Sequence, residues 1–247
     1  MNTTFSGSHA LILGGTCEIA LTLAEYMIQT SLFPILTYRD EKGLLSITRT
    51  LQPFKGKYAS YYLNFGDRES LESLFSATYD HLDFLVDFAQ GHYESYVASA
   101  DEESVYRYFM ENISFRAEVL KRAGRAMLKK RKGRLIFISS SAAERPNPGQ
   151  GFYAAAKQAS EALYRAMALE MGERGVTAVI LRLGYIDAGR GRVYLNGQGR
   201  DIVEKLPIKR AITREEVAET ILFLLSDGAA AINATEILMD GGLTSGK

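Results

Sequence analysis

Tyr153 and Lys157 stand four residues apart, a spacing that places two side chains on one face of a helical turn. A phenol with a pKa of about 10 is a poor acid or base at neutral pH unless its anion is stabilised. An ammonium one turn along supplies that stabilisation through charge. The spacing alone carries little weight, because Tyr38 and Lys42 repeat it. Context separates the two pairs. Tyr153 follows Ser139, Ser140 and Ser141 at the end of an apolar run, whereas Tyr38 sits beside Arg39 with no hydroxyl cluster nearby. The competing reading of Tyr153 is a packed aromatic at a helix start, and in isolation the pair slightly favours it.

A second chemical signal lies near the N-terminus, where Leu13-Gly14-Gly15-Thr16-Cys17-Glu18-Ile19-Ala20 joins an apolar run to a helical pattern. A dinucleotide needs glycine at such a turn so that backbone can approach its pyrophosphate, with the helix N-terminus supplying amide donors and partial positive charge. The plain alternative is a tight strand-to-helix turn. Glu18 complicates the first reading, since a carboxylate near a pyrophosphate repels it unless its side chain points away.

Composition removes several other chemistries. The chain has 247 residues, 29 Lys+Arg against 29 Asp+Glu, and 47% hydrophobic content. Balanced charge lacks the basic bias of a nucleic-acid binder. Cys17 is the only cysteine, so an internal disulfide and a Cys-rich zinc site are both excluded. His9, His81 and His92 fall in no ligand spacing, and no metal site is expected. No apolar stretch approaches the ~18 residues of a membrane span. No Lys or Arg precedes Arg39, which argues against a secretory or mitochondrial leader and makes the cytoplasm the expected location.

The elements that would position these residues alternate along the chain. Strands are predicted at 9–13, 34–38, 58–63, 84–89, 134–139, 177–183 and 235–239, each a short apolar run. Helical periodicity occupies 19–28, 69–79, 103–130, 154–174 and 214–226. Such alternation implies right-handed crossovers and a parallel sheet covered on both faces. The expected fold is a doubly wound α/β sandwich of Rossmann type, one domain over residues 1–247, with its site at the carboxyl ends of the strands. A glycine-rich stretch at about 187–206, carrying Tyr194, Asn196 and Arg200, should form a lid that stays mobile until ligand binds.

Taken in order, the motifs resemble the short-chain dehydrogenase/reductase family over nearly the whole chain. The set runs from the glycine turn through Asn64-Phe65 and the stretch Val86 to Gly91, then Glu111-Asn112-Ile113 and Ser140. It continues with Tyr153 to Lys157, Leu183-Gly184-Tyr185-Ile186, Val217-Ala218, Phe223 to Asp227 and Asp240-Gly241-Gly242. The resemblance implies a catalytic tetrad of Asn112, Ser140, Tyr153 and Lys157. In it the tyrosine donates a proton, the serine orients the carbonyl, the lysine grips the ribose, and the asparagine holds a water that reloads the proton. It implies dinucleotide contacts at Gly14, Thr16, Cys17, Glu18, Ile19, Arg39, Asn64, Phe65, Ala89, Gln90, Gly91, Tyr153, Lys157, Gly184 and Ile186. The 13-residue interval between Ser140 and Tyr153 resembles the 3-oxoacyl-(acyl carrier protein) reductase branch. Departures are Glu18 and Ala20 at two family glycines, Asp87 and Phe88 in place of paired asparagines, and Leu183 and Ala188 for a proline and a threonine.

The implied activity is NAD(P)H-dependent reduction of a ketone, with a 3-oxoacyl thioester ahead of a steroid, sugar or cyclic alcohol and of a non-catalytic dinucleotide sensor. NADP(H) is expected over NAD(H). Family members accepting NAD usually end the second strand in an acidic residue, and here Tyr38 is followed by Arg39, which can pair with a 2′-phosphate. Eight basic residues and no acidic one lie between Lys121 and Arg134. With Arg174, they suggest steering of an acidic acyl carrier protein, against the equally weighted reading of a solvated helix end. The resemblance also implies a homotetramer, with a dimer as the alternative.

Overall fold

Side chains of β1 (His9–Leu13) alternate between two hydrophobic cores: Ala10 and Ile12 enter one, Leu11 and Leu13 the other. That period of two, with apolar residues on both faces, is what a strand buried on both sides requires. The same division holds in β5 (Gly133–Ser140), where Ile136 and Ile138 face one core and Leu135 and Phe137 the other. Burying each such aliphatic side chain contributes about 1.5–3 kcal/mol. The computed structural model describes residues 3–197 and 199–245; the side chain of Arg200, assigned to the lid from sequence, lies outside what is described.

The elements follow one another as β1, α1 (Glu18–Gln29), β2 (Phe33–Tyr38), α2 (Glu41–Thr50), β3 (Ala59–Tyr62), α3 (Arg68–Thr78), β4 (Phe84–Asp87), α4 (Glu102–Phe109), α5 (Arg116–Lys130) and β5. After β5 come α6 (Gly151–Met171), β6 (Val176–Leu183), α7 (Gly189–Asn196), α8 (Arg200–Lys205), α9 (Arg214–Leu225) and β7 (Thr235–Met239). The seven strands pair in parallel in the order β3-β2-β1-β4-β5-β6-β7. Helices α1, α2 and α9 cover one core, and α3, α5 and α6 the other. This is the doubly wound sandwich expected. Because the chain leaves β1 in one direction and returns at β4 to build in the other, a crevice opens at the carboxyl ends of β1 and β4. No helix among the described residues is long and apolar enough to cross a membrane.

Three segments differ from the sequence reading. The helix expected over 103–130 is broken by a π turn at Met110–Phe115. Asn112 Nδ2 donates to the Tyr108 carbonyl at 2.8 Å, taking the acceptor an α-helical amide would use. Helix α2 escapes periodicity because only Ile47 is buried in it; Asp40 starts it by accepting from Gly43 N at 2.8 Å. The stretch expected as a glycine-rich lid carries two short helices, α7 and α8, that the sequence reading did not anticipate.

Candidate active site

Strand β5 ends in Ser139 and Ser140, and α6 begins at Gly151, so one connection brings the serines to the turn bearing Tyr153 and Lys157. The two serines take different partners there. Ser139 Oγ donates to Glu161 Oε1 at 2.5 Å, whereas the Ser140 hydroxyl accepts from Ala142 N at 3.2 Å and faces the Tyr153 phenol. Burial raises the Tyr153 pKa from the ordinary phenol value, partly opposed by the neighbouring Ser140 hydroxyl and the Arg190 charge. The phenol is therefore a neutral acid at pH 7.

Lys157 is buried, with Nζ 5.8 Å from the Tyr153 ring centroid. Its Nζ donates to the Ile138 carbonyl at 2.7 Å and lies 4.8 Å from the Phe137 centroid. Desolvation, followed by the nearby Arg116 charge, lowers its pKa to about 7. Asn112, also buried, is held at both ends. Its Oδ1 accepts from Gly91 N at 2.7 Å, and its backbone carbonyl accepts from Arg116 Nη1. Ser160 Oγ lies 3.4 Å from that carbonyl but gives its one proton to the Ala156 carbonyl at 2.8 Å.

The crevice beside these residues has a volume of about 240 Å³. Gly14, Thr16 and Arg39 line one side of it. Asn64, Phe65, Ala89, Gln90, Gly91 and Asn112 line the rest among the expected contacts. Gly14 adopts φ +68°, and a Cβ there would come within 2.9 Å of Ala89 N, so the turn tolerates no side chain. Cys17 begins α1 without a side-chain cap, leaving first-turn amides as donors for an anion. Arg39 is exposed and makes no ion pair among the described residues, while Asp40 beside it is occupied as the α2 cap. These features fit a dinucleotide. At the end of β6, Gly184 N donates to Met239 O at 3.0 Å, and Ile186 bridges to Ile212.

Glu18 turns its carboxylate away from the glycine turn and onto the lid. Its oxygens accept from Gly189 N at 3.1 Å and Arg192 Nη2 at 2.9 Å, with Arg214 Nη1 at 3.8 Å. Sequence reasoning missed several residues that complete the site. Thr37 Oγ1 accepts from Gly14 N at 3.0 Å, and Gln90 Nε2 donates to Tyr108 Oη at 2.7 Å. Arg190 in α7 meets His92 Nδ1 at 2.8 Å across the mouth. Asp87 and Arg116, both fully buried, pair at 2.8 Å. A lone carboxylate ending an apolar strand and an arginine four residues after Asn112 were the available signals.

The family model described as Enoyl-(Acyl carrier protein) reductase matches residues 16–244. The chain belongs to the short-chain dehydrogenase/reductase family. A 3-oxoacyl-(acyl carrier protein) reductase of Haemophilus influenzae is 31% identical over 240 residues, covering 96% of this chain and 98% of that one. Its Escherichia coli counterpart is 30% identical over 242 residues, covering 97% and 98%. A solved short-chain dehydrogenase/reductase family protein, 25% identical, superposes with a TM-score of 0.88 over the full length of both chains. An actinorhodin polyketide ketoreductase with NADPH, 23% identical, shares the fold at a TM-score of 0.88 and covers 98% of each chain. This short-chain dehydrogenase/reductase is accordingly an oxidoreductase of CH–OH and C=O groups that uses a nicotinamide dinucleotide.

Proposed function

We propose that this protein is an NADPH-dependent carbonyl reductase that converts a 3-oxoacyl thioester, carried on an acyl carrier protein, to its 3-hydroxyacyl form. The observation that carries the reading is the grouping of Ser140, Tyr153 and Lys157, with Lys157 buried one turn from the phenol, beside a crevice lined by the glycine turn and Arg39. The names of the full-length relatives supply the substrate class. Residues 1–247 act as one catalytic domain, with 187–206 as its lid.

The bound nicotinamide supplies the hydride. Tyr153 donates its proton to the carbonyl oxygen as negative charge develops there, and Ser140 donates a hydrogen bond to the same atom. Lys157, as an ammonium, stabilises the resulting tyrosinate and turns its remaining N–H groups toward the ribose. The amides of Glu18 and Ile19 at the start of α1 would hold the pyrophosphate, with Cys17 N–H donating to the Gly14 carbonyl at 3.3 Å to shape the turn. A panel of acetoacetyl thioesters, cyclic ketones and steroid ketones tests the substrate class: the thioesters should give the highest kcat/KM, and preference for a cyclic or steroid ketone would reassign it.

Arg39 is expected to select NADPH. A charge-assisted hydrogen bond contributes about 1.5–3 kcal/mol, so Arg39→Ala should lower kcat/KM for NADPH roughly 10- to 100-fold and leave NADH nearly unchanged. An unchanged ratio of the two cofactors would remove Arg39 from selection. Glu18 works in the opposite sense, as a carboxylate in the first turn of the helix that receives the pyrophosphate. Glu18→Gln should tighten NADPH binding about 2- to 5-fold in a fluorescence titration, the scale of a partly exposed charge at a helix end. Weaker binding would show that its hold on Arg192 and Gly189 matters more than its repulsion.

Several charges of the basic run are spent within the protein. Arg122 pairs with Glu72, Lys129 with Asp80 and Lys130 with Asp83, while buried Arg134 donates to the Leu224 and Ser226 carbonyls. Arg125 and Arg174 remain exposed. If they steer an acidic carrier, Arg125→Glu with Arg174→Glu should raise KM for carrier-bound substrate and spare a small thioester. Equal effects on both substrates would assign these charges to solvation alone.

A further inference from the structure

Behind the tetrad lies a cluster of buried groups that the proposed reaction does not use. Arg116, fully buried at the start of α5, donates Nε to Asp87 Oδ2 at 2.8 Å and Nη1 to Ser160 Oγ at 2.9 Å. It also donates Nη1 to the Asn112 carbonyl and Nη2 to the Ala89 carbonyl. Tyr164 Oη donates to the same Asp87 oxygen at 2.9 Å. Four of the five guanidinium N–H groups are therefore directed at acceptors, and two of those acceptors are backbone of the crevice wall. Arg116 Cζ lies 5.2 Å from the centroid of Phe137, the ring that Lys157 Nζ approaches to 4.8 Å.

We propose that Arg116 is a positioning residue of the catalytic site, holding the Asn112 and Ala89 carbonyls from within the core and placing a permanent cation behind Lys157. The inference rests on the carbonyl-reductase reading for its role in catalysis, but its geometry is independent of substrate. With Arg116 holding the Asn112 and Ala89 carbonyls from the core side, the helix break at Asn112 and the turn after β4 keep their places in the crevice wall. A second consequence concerns charge. Lys157 faces Arg116 from α5, Asp87 from β4, Arg190 from α7, and Glu161 and Tyr153 on its own helix. Of the charges, Arg116 has the largest effect and opposes the ammonium, while Asp87 supports it less strongly. The ammonium is the form that stabilises the tyrosinate, so kcat/KM for reduction should fall as pH rises through about 7.

The test pairs Asp87→Asn with Arg116→Met, which removes both charges together and leaves an acceptor for Tyr164. Lysine 13Cε NMR of the free protein follows Lys157 directly, with Lys157→Met assigning its signal. The wild type should titrate near pH 7, and the double variant at higher pH, because the Arg116 effect exceeds the opposing Asp87 effect, with the alkaline limb of kcat/KM moving the same way. Near-UV circular dichroism establishes that the double variant is folded. A folded double variant with an unmoved Lys157 midpoint would overturn the proposal, as would a wild-type midpoint in the ordinary lysine range, whether or not the variant folds. Because the NMR needs neither cofactor nor ketone, loss of the reductase reading would show separately, as absent turnover with an intact titration.

Discussion

Tyr153→Phe should lower kcat by about 10²–10⁴-fold or more while NADPH still binds with nearly wild-type affinity. The phenol lies beside Ser140 with Lys157 Nζ 5.8 Å from its ring centroid, and the substitution removes its proton without emptying the volume of the ring. Burial keeps this hydroxyl protonated at neutral pH, which suits a donor in the reductive direction. Cofactor affinity should survive because the crevice is built mainly from β1, β2 and β4 termini and not from α6. Steady-state kinetics with a parallel fluorescence titration check both halves. Comparable kcat in variant and wild type would remove Tyr153 as donor and favour a dinucleotide sensor on this fold.

The largest stability effect is expected at the pair beneath the site. Arg116→Met alone leaves the Asp87 carboxylate in a fully buried position with Tyr164 and the Ala89 amide as its remaining donors. Stranding one member of a buried ion pair costs about 3–5 kcal/mol. At roughly 2–4 °C per kcal/mol for a chain of this size, Tm should fall by the order of 10 °C. Adding Asp87→Asn should recover most of that loss, since replacing both partners removes the stranded charge. Thermal denaturation of the single and double variants measures the difference, and equal Tm values for the two would show that the pair is not coupled as the structure implies.

How much of this was legible in sequence depends on the range of the interaction. β1 and β5 could be read because burial on both faces leaves a continuous apolar run. That Tyr153 and Lys157 share one helical turn, with Ser140 ending the strand before it, was legible in spacing and pattern, but their roles came only from the family resemblance. The π turn at Asn112 was not, because one extra residue per turn hardly disturbs an apolar stripe, and its cause lies in a side-chain bond to Tyr108. The Asp87–Arg116 pair spans 29 residues and has no local signature. Glu18 was visible as a misplaced carboxylate, but its partners Gly189 and Arg192 lie some 170 residues away, so its orientation had to come from the fold.

In the proposed reaction Tyr153 and its neighbours would deliver a proton to a 3-oxoacyl carbonyl as NADPH is oxidised. It is tested most directly by a single turnover with enzyme in excess, following reduced-nicotinamide absorbance and 3-hydroxyacyl product from the same mixture of NADPH and an acetoacetyl thioester. One 3-hydroxyacyl thioester should form per NADPH consumed, and Tyr153→Phe should abolish both signals. NADPH that binds and stays reduced in the presence of the thioester and of the cyclic and steroid ketones would contradict the claim.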